Sequence, residues 1–294
     1  MKEFFVGKNF KDETLGIISQ VNSILSEYRA QGYDLSLRQV YYQLVERDLL
    51  ENSSRSYKRL GNIVSDGRLA GLIDWEIIVD RGRPVIFPSH WDSPADIVRA
   101  AAQSFRIDKW EEQSSHVEVM VEKQALEGIL IPVCEELDIR FTANKGYSSQ
   151  SAMYRAGQRM RDAIRDGKDV HVLYLGDHDP SGLDMDRDIL DRLSMFSARV
   201  IWSVKRLALT WDQIEEHQPP KNPAKMTDSR AHAYVLEFGD SSWELDALEP
   251  ALLVSLVRDT VEEIRDEKLW DEAVEQEDEM KAELQEFADN YEDN

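Results

Sequence analysis

The sequence predicts an α/β protein in two parts: a helical unit closed by a hairpin, then a mainly parallel sheet. Three observations predict it. Apolar residues recur at helical spacing through the opening segments, two β-rich runs flank Arg81-Gly82-Arg83-Pro84, and beyond residue 110 short apolar runs alternate with helical stretches. Strands alternating with helices imply parallel pairing, because each return crossing is made by a helix.

The first helix is expected over Asp12 to Gln31, where Leu15, Ile18, Val21, Ile24 and Leu25 share a face and Gly32 ends the run. Ser36 is placed to cap a second helix, Leu37 to about Leu49. A third spans Ser53 to Leu72, with Leu60, Ile63, Val64, Leu69 and Leu72 as its buried face. The runs Trp75-Glu76-Ile77-Ile78-Val79 and Val85-Ile86-Phe87 then form a hairpin, and helices followed by a hairpin describe a winged helix. A helical connector over about Pro94 to Glu112 leads to a strand at Val117 to Val121, a helix from Lys123 to Leu137 and a strand starting at Phe141. Tyr147 to Gln150 reads as loop and Ser151 to Asp166 as helix. Val170 to Leu175 is nearly all apolar, the pattern of a strand covered on both faces. A helix over Leu183 to Leu193 and a strand over Ala198 to Val204 follow. From about Asp259 a charged helical tail begins, with Val274, Leu284 and Phe287 as scattered apolar points. The domains expected are thus 1–105, 106–258 and an acidic tail, 259–294.

The chain has 294 residues, 42% hydrophobic and 31% charged, and no apolar run long enough to span a bilayer. Met1 leads straight into Lys2-Glu3-Phe4-Phe5, without the succession of a secretory signal, so a cytoplasmic protein is expected. The single cysteine, Cys134, excludes an internal disulfide and a cysteine-built zinc site. A net charge of -22 argues against a nucleic-acid partner until it is mapped. Residues 1–110 carry 15 basic against 15 acidic residues, whereas residues 259–294 carry 3 against 16. A phosphate-binding patch needs only local positive charge, and the front of the chain leaves room for one.

Gly176-Asp177-His178-Asp179-Pro180-Ser181-Gly182 follows the buried strand directly, at the strand end where open α/β sheets bind ligands. Two carboxylates one residue apart repel each other unless a cation joins them, and oxygen-only ligands suit Mg²⁺ or Mn²⁺. Glu122 closes the first strand of the same unit and is placed to reach the same crevice, with Lys123 beside it to offset charge. The alternative is a solvated acidic turn that caps the next helix. Asp177, Asp179, Ser181, Gly182 and Asp188 also match EF-hand loop positions, but a strand precedes them where that motif needs a helix. Two adjacent tyrosines, Tyr41 and Tyr42, lie in the second helix after Arg38, and on a helix such a pair ordinarily supplies one core and one surface residue.

Taken in order, Arg38-Gln39-Val40-Tyr41-Tyr42, Val121-Glu122-Lys123-Gln124-Ala125 and Gly176-Asp177-His178-Asp179-Pro180-Ser181-Gly182 resemble the A subunit of type IIB topoisomerases (topoisomerase VI) and its meiotic double-strand-break relative. Leu207 to Thr210, Met226 to Asp228 and Trp243 to Leu248 resemble the closing region of that family, so the likeness runs over about residues 35 to 255. The resemblance implies a winged helix carrying a nucleophilic tyrosine and a TOPRIM-like metal-binding domain. By it, Tyr42 is the nucleophile, Arg38 a phosphate contact, and Glu122, Asp177 and Asp179 the ligands of Mg²⁺ or Mn²⁺. It implies Mg-dependent cleavage of double-stranded DNA by transesterification, giving a 5′-phosphotyrosyl link, in a homodimer that pairs one protomer's tyrosine with its partner's metal. No P-loop occurs in the sequence, so strand passage would need a separate ATPase subunit. Gln39 stands where the family often has Asp, and Gly146 to Gln150 replaces a Gly-x-Pro type of loop. Two other readings stay open: a TOPRIM nuclease that uses water, as in plasmid-defence systems, with Tyr42 structural, and a non-catalytic DNA-binding module. In each, DNA contact is expected from Lys58, Arg59, Arg68, Arg81 and Arg83.

Overall fold

A computed structural model describes residues 2–78, 88–143, 150–197 and 204–290. It opens with three helices, α1 (Asp12–Ala30), α2 (Leu37–Glu46) and α3 (Ser54–Leu69). Ser36 caps α2 as expected. Its side chain accepts from the Gln39 amide, and the Gln39 side chain accepts in return from the Ser36 amide. Ile18, Val21, Ile24 and Leu25 of α1 pack on Val40, Leu44, Leu60 and Val64, while Leu15 at the edge of the stripe is exposed. Of the predicted hairpin, Val79 to Phe87 with Arg81 and Arg83 lie outside the described residues. Trp75 to Ile78 form no strand beyond one parallel bridge between Ile78 and Leu35. Arg68 explains this in part, since its guanidinium takes the carbonyls of Trp75 and Ile78 that a strand would offer to a neighbour.

After α4 (Pro94–Ser104) come β1 (Ser115–Val121), a single 3₁₀ turn, α5 (Glu127–Glu136), β2 (Arg140–Ala143), α6 (Gln150–Arg165), β3 (Asp169–Leu175), α7 (Gly182–Ser197) and β4 (Val204–Ala208). The four strands form one sheet in the order β2-β1-β3-β4, all parallel. The predicted strand over Ala198 to Val204 lies outside the described residues up to position 203, and the observed one begins at Val204. Helices cover both faces. Leu130, Val133 and Cys134 of α5 pack with Val119 and Val121 on one face, and Met153 and Met160 of α6 pack with Met120 and Tyr174 on the other. This two-sided cover is why β3 reads as nearly all apolar over Val170 to Leu175, and in β1 it buries even the polar His116 and Glu118, which bond to each other.

The chain then forms α8 (Trp211–His217), a two-residue ladder of β5 (Asn222–Pro223) with β6 (Ser241–Ser242), α9 (Ala231–Phe238), a 3₁₀ turn at Leu245–Ala247, and α10 (Pro250–Ile264). Helix α10 runs through position 259, and Leu253, Val257 and Val261 are fully buried in the same core as the sheet. The final helix, α11 (Glu267–Asp289), is not simply solvated. Trp270 meets Trp110 edge to face, and the buried Glu277 carboxylate accepts from Lys109 Nζ and the Ile107 amide. Among the described residues no helix is long and apolar enough to cross a membrane.

Candidate metal centre and tyrosine cleft

The loop after β3 is pinned from several sides. The Glu122 amide donates to the Leu175 carbonyl and so extends the β1–β3 ladder by one residue. His178 and Trp243 exchange backbone bonds as an isolated antiparallel bridge, which lays the segment 243–246 alongside the Asp177 loop. The Leu245 amide donates to Asp177 Oδ1 at 2.8 Å. Trp243 and Leu245 turn into the core, while Glu244 and, from the 3₁₀ turn that follows it, Asp246 both face Arg38. The result is a cluster the sequence reading did not assemble. One carboxylate oxygen each from Asp177, Glu244 and Asp246 lie within 4.8 Å of one another.

Two cations already face these acids. Lys123 Nζ is 2.9 Å from Asp177 Oδ1 and 2.9 Å from Asp246 Oδ1, and it also pairs with Glu244 Oε2. Arg38, reaching across from α2, holds Glu244 Oε1 at 2.7 Å and Asp246 Oδ2 at 3.1 Å. Burial alone would discharge Lys123, but Asp246, Asp177 and Glu244 outweigh it and raise its pKa. Burial pushes the Asp177 carboxyl up to about 7. Lys123 opposes that rise, and the charges of Glu122 and Glu244 add to it.

Of the three expected ligands, Asp177 alone belongs to this cluster. Glu122 Oε2 accepts the Asp177 backbone amide at 2.8 Å, so it braces the loop; burial, reinforced by the charge of Asp179, raises its pKa. Asp179 turns to the start of α7, where Oδ1 accepts from the Ser181 amide, the Ser181 hydroxyl and the Gly182 amide. That is the helix-capping role, favoured by the unpaired amides of a helix start. Asp184 pairs with Arg187 and Arg230, and Asp188 with Arg192. His178 sits among Trp211, Tyr234, Phe238 and Trp243 with Nδ1 bonded to the Tyr234 hydroxyl, and burial holds its pKa down to about 4. Arg206 was not singled out from sequence. Its guanidinium pairs with Asp186 and takes the carbonyls of Gly176, Asp177 and Gly182, which locks the loop's shape.

The two tyrosines divide their work. Tyr41 is an anchor: its oxygen accepts the Ser53 amide at 2.7 Å and donates toward Asn52 Oδ1 or the Ser53 carbonyl, fixing the start of α3. Tyr42 is also buried, 3% exposed, but its hydroxyl has only long contacts, from Arg38 Nη2 at 3.4 Å and from Asn222 Nδ2 at 3.3 Å. Burial, Glu244 and Asp246 raise its pKa, while Arg38 and Asn222 pull the other way. Both rings line a cleft of about 420 Å³ that Arg38, Ser53, Tyr57, Asn222 and Glu244 also border. Arg38 therefore touches the tyrosine oxygen and two of the three clustered carboxylates.

The expected DNA contacts are spread differently. Lys58 and Arg59 are exposed on α3, with Arg59 paired to Glu13. Arg68 is turned inward onto the carbonyls described above. No protein-family model and no curated protein matches the chain.

All three donors are carboxylates, and together they could hold a metal ion. Such an ion would be held by Asp177, Glu244 and Asp246.

Proposed function

We propose that this chain is a Mg²⁺- or Mn²⁺-dependent DNA-cleaving protein of the topoisomerase VI A-like class, with its three-helix unit read as a winged helix and its sheet unit as a TOPRIM-like domain. One observation carries the reading: a single guanidinium, Arg38, joins the Tyr42 hydroxyl to a carboxylate cluster suited to a cation. A divalent ion there would offset charge on a phosphodiester and on its leaving oxygen. Arg38 would turn its donors to the phosphate and keep Tyr42 in line with phosphorus. The Tyr42 oxygen attacks and the P–O bond to the 3′ oxygen breaks. The phenolic proton passes to a carboxylate of the cleft, and the departing 3′ oxygen takes up a proton from solvent, leaving a phosphotyrosyl link. The family resemblance pairs the tyrosine with the metal of a second protomer in a homodimer. In this chain Tyr42 borders the same cleft as Glu244, one of the three carboxylates, so a single protomer would carry both halves of the chemistry. Lys58, Arg59 and their neighbour Arg55 would meet backbone phosphates of double-stranded DNA.

A second reading, a nuclease with water as nucleophile, is favoured by the burial of Tyr42 and by its raised pKa. Supercoiled plasmid with Mg²⁺ or Mn²⁺, stopped in detergent and run with and without proteinase, separates the two. Cut DNA that shifts only after proteinase, and that Tyr42→Phe and Asp246→Asn both abolish, supports the tyrosine route. Cutting that survives Tyr42→Phe but not Asp246→Asn supports water. Absence of cutting with bound DNA in every condition would leave a binding module.

A further inference from the structure

Three carboxylates drawn this close repel one another unless a cation sits between them. In this protein the cation is part of the chain. Lys123 lies two residues beyond the end of β1, and its extended backbone sends the four-carbon stem to a point where the ammonium pairs with Asp177, Glu244 and Asp246 at once. These are the same three residues whose oxygens are gathered closely enough to share an ion. The nitrogen lies 2.9 Å from an oxygen of Asp177 and 2.9 Å from one of Asp246, and a Mg²⁺ held by the same three carboxylates would sit at roughly 2.1 Å from its ligand oxygens. Ammonium and metal would therefore compete for the same carboxylates and oppose each other by both volume and charge. Arg38 does not share this conflict, because it takes the outer oxygens, Glu244 Oε1 and Asp246 Oδ2.

We propose that Lys123 is a tethered occupant of the metal position: it holds the carboxylates together in the metal-free protein, and a divalent cation binds only by expelling it. This rests on the metal reading above. It makes Lys123 a residue that sets affinity and selectivity. A monovalent ion brings no more charge than the ammonium it must displace and gains nothing by the exchange, whereas Mg²⁺ or Mn²⁺ brings twice the charge on a smaller centre. The flexible stem allows the swing without movement of β1.

The test reads the lysine and the metal, not cleavage. Full-length protein is treated briefly with acetic anhydride, alone and with Na⁺, Mg²⁺ or Mn²⁺, and acetylation is mapped by mass spectrometry. Lys123 is expected to be protected alone and in Na⁺ and to become labelled at least several-fold faster in Mg²⁺ or Mn²⁺. The exposed Lys58 should be labelled equally throughout. In parallel, calorimetry with Mn²⁺ should show Lys123→Met binding at least tenfold more tightly than wild type. Should that variant fail to fold, having lost the neutralising charge, the wild-type labelling decides. If wild type binds Mn²⁺ while Lys123 stays protected, the displacement is refuted and the metal reading stands. If wild type and Lys123→Met both show no heat with Mn²⁺, the metal reading fails and the inference falls with it.

Discussion

Replacing Arg38 by alanine probes how the helical unit is fastened to the sheet unit. Arg38 leaves α2 and ends on Glu244 and Asp246, and the Asp246 side chain has no exposed surface. Removing one partner of a fully buried ion pair costs about 3–5 kcal/mol, because the remaining charge is stranded away from water. Two features reduce that here. Lys123 still holds Asp246 Oδ1 at 2.9 Å, and the Arg38 side chain is itself 41% exposed, so water screens part of its charge. The expected loss is therefore about 1–3 kcal/mol. Arg38→Lys should recover less than half, since one ammonium cannot reach Glu244 and Asp246 together as the spread guanidinium does. Arg59→Ala is the control: its pair with Glu13 is exposed on both sides, and its removal should leave the unfolding midpoint unchanged. Urea unfolding followed by circular dichroism and by tryptophan fluorescence gives the midpoints. If Arg38→Ala unfolds within about 0.5 kcal/mol of wild type, the contact between the units does not rest on this arginine, and Arg38 is free for a ligand at no structural cost.

The neighbouring tyrosines should part company: Tyr41→Phe strands the Ser53 amide and is expected to cost about 1–2 kcal/mol in urea, while Tyr42→Phe, losing only long contacts, should cost less than about 0.5 kcal/mol. Gly182→Ala would drive a Cβ to 2.2 Å from the Asp177 carbonyl oxygen, so the loop must shift; a thermal melt should show about 1–3 kcal/mol of destabilisation, and calorimetry weaker Mn²⁺ binding. Burial works against the Glu277 carboxylate, but bonds from Lys109, Lys281 and the Ile107 amide outweigh it and hold its pKa down to about 2. A depressed acid stabilises above its unfolded pKa and loses that contribution as pH falls. Glu277→Gln should therefore cost about 1–2 kcal/mol at neutral pH, after allowance for solvent screening, and the difference from wild type should close between about pH 4.5 and 2 in acid-titrated melts. If α3 meets DNA, the pair Arg55→Gln and Lys58→Gln should flatten the salt dependence of binding by about two units of slope in fluorescence anisotropy; an unchanged slope would move the DNA surface elsewhere.

The parts of the architecture that announce themselves in sequence are those set by local chemistry. Ser36 with Gln39 is a capping box by spacing alone, and it marks the start of α2 to the residue. Strand β3 is covered on both faces, so Val170 to Leu175 shows as a nearly apolar run. The site is less legible because its members meet through tertiary contacts. Asp177 and Asp179 look equivalent as a pair one residue apart, and what separates them is the start of α7: its amides claim Asp179, leaving Asp177 to face residues 244–246. A signal for the missing acids was present. Glu244 and Asp246 alternate with the apolar Trp243, Leu245 and Ala247, which sets two acids at one spacing against a buried stretch, although residues 245–247 fold as a 3₁₀ turn. That pattern cannot say which strand end the segment lies against; the His178–Trp243 bridge does. The acidic helix α11 misleads for a related reason. Its buried side is carried by Trp270, Glu277 and Ala288, and a carboxylate buried by pairing with Lys109 counts as polar in any reading of periodicity.

The electrostatics of the cleft bear on which nucleophile it can serve. Tyr42 is held near Glu244 and Asp246 with little water around it, and both effects keep its proton on. A phenol with a pKa above 10 is ionised to less than about one part in a thousand at pH 7, so a tyrosine route demands that positive charge reach the cleft before attack. Arg38 supplies some of it and the Asn222 amide adds a hydrogen bond, but Arg38 is shared with the two carboxylates it already neutralises. A divalent ion at the carboxylates would release that share, since acids satisfied by metal compete less for the guanidinium. The covalent route is therefore the one that depends on cation, arginine and tyrosine acting together, whereas the water route needs the cation and tolerates the tyrosine as it stands. Arg38 is thus the residue at which the two mechanisms diverge. With water as nucleophile, its loss should weaken substrate binding and leave Tyr42 without consequence. With tyrosine as nucleophile, its loss should remove the means of ionising Tyr42 as well.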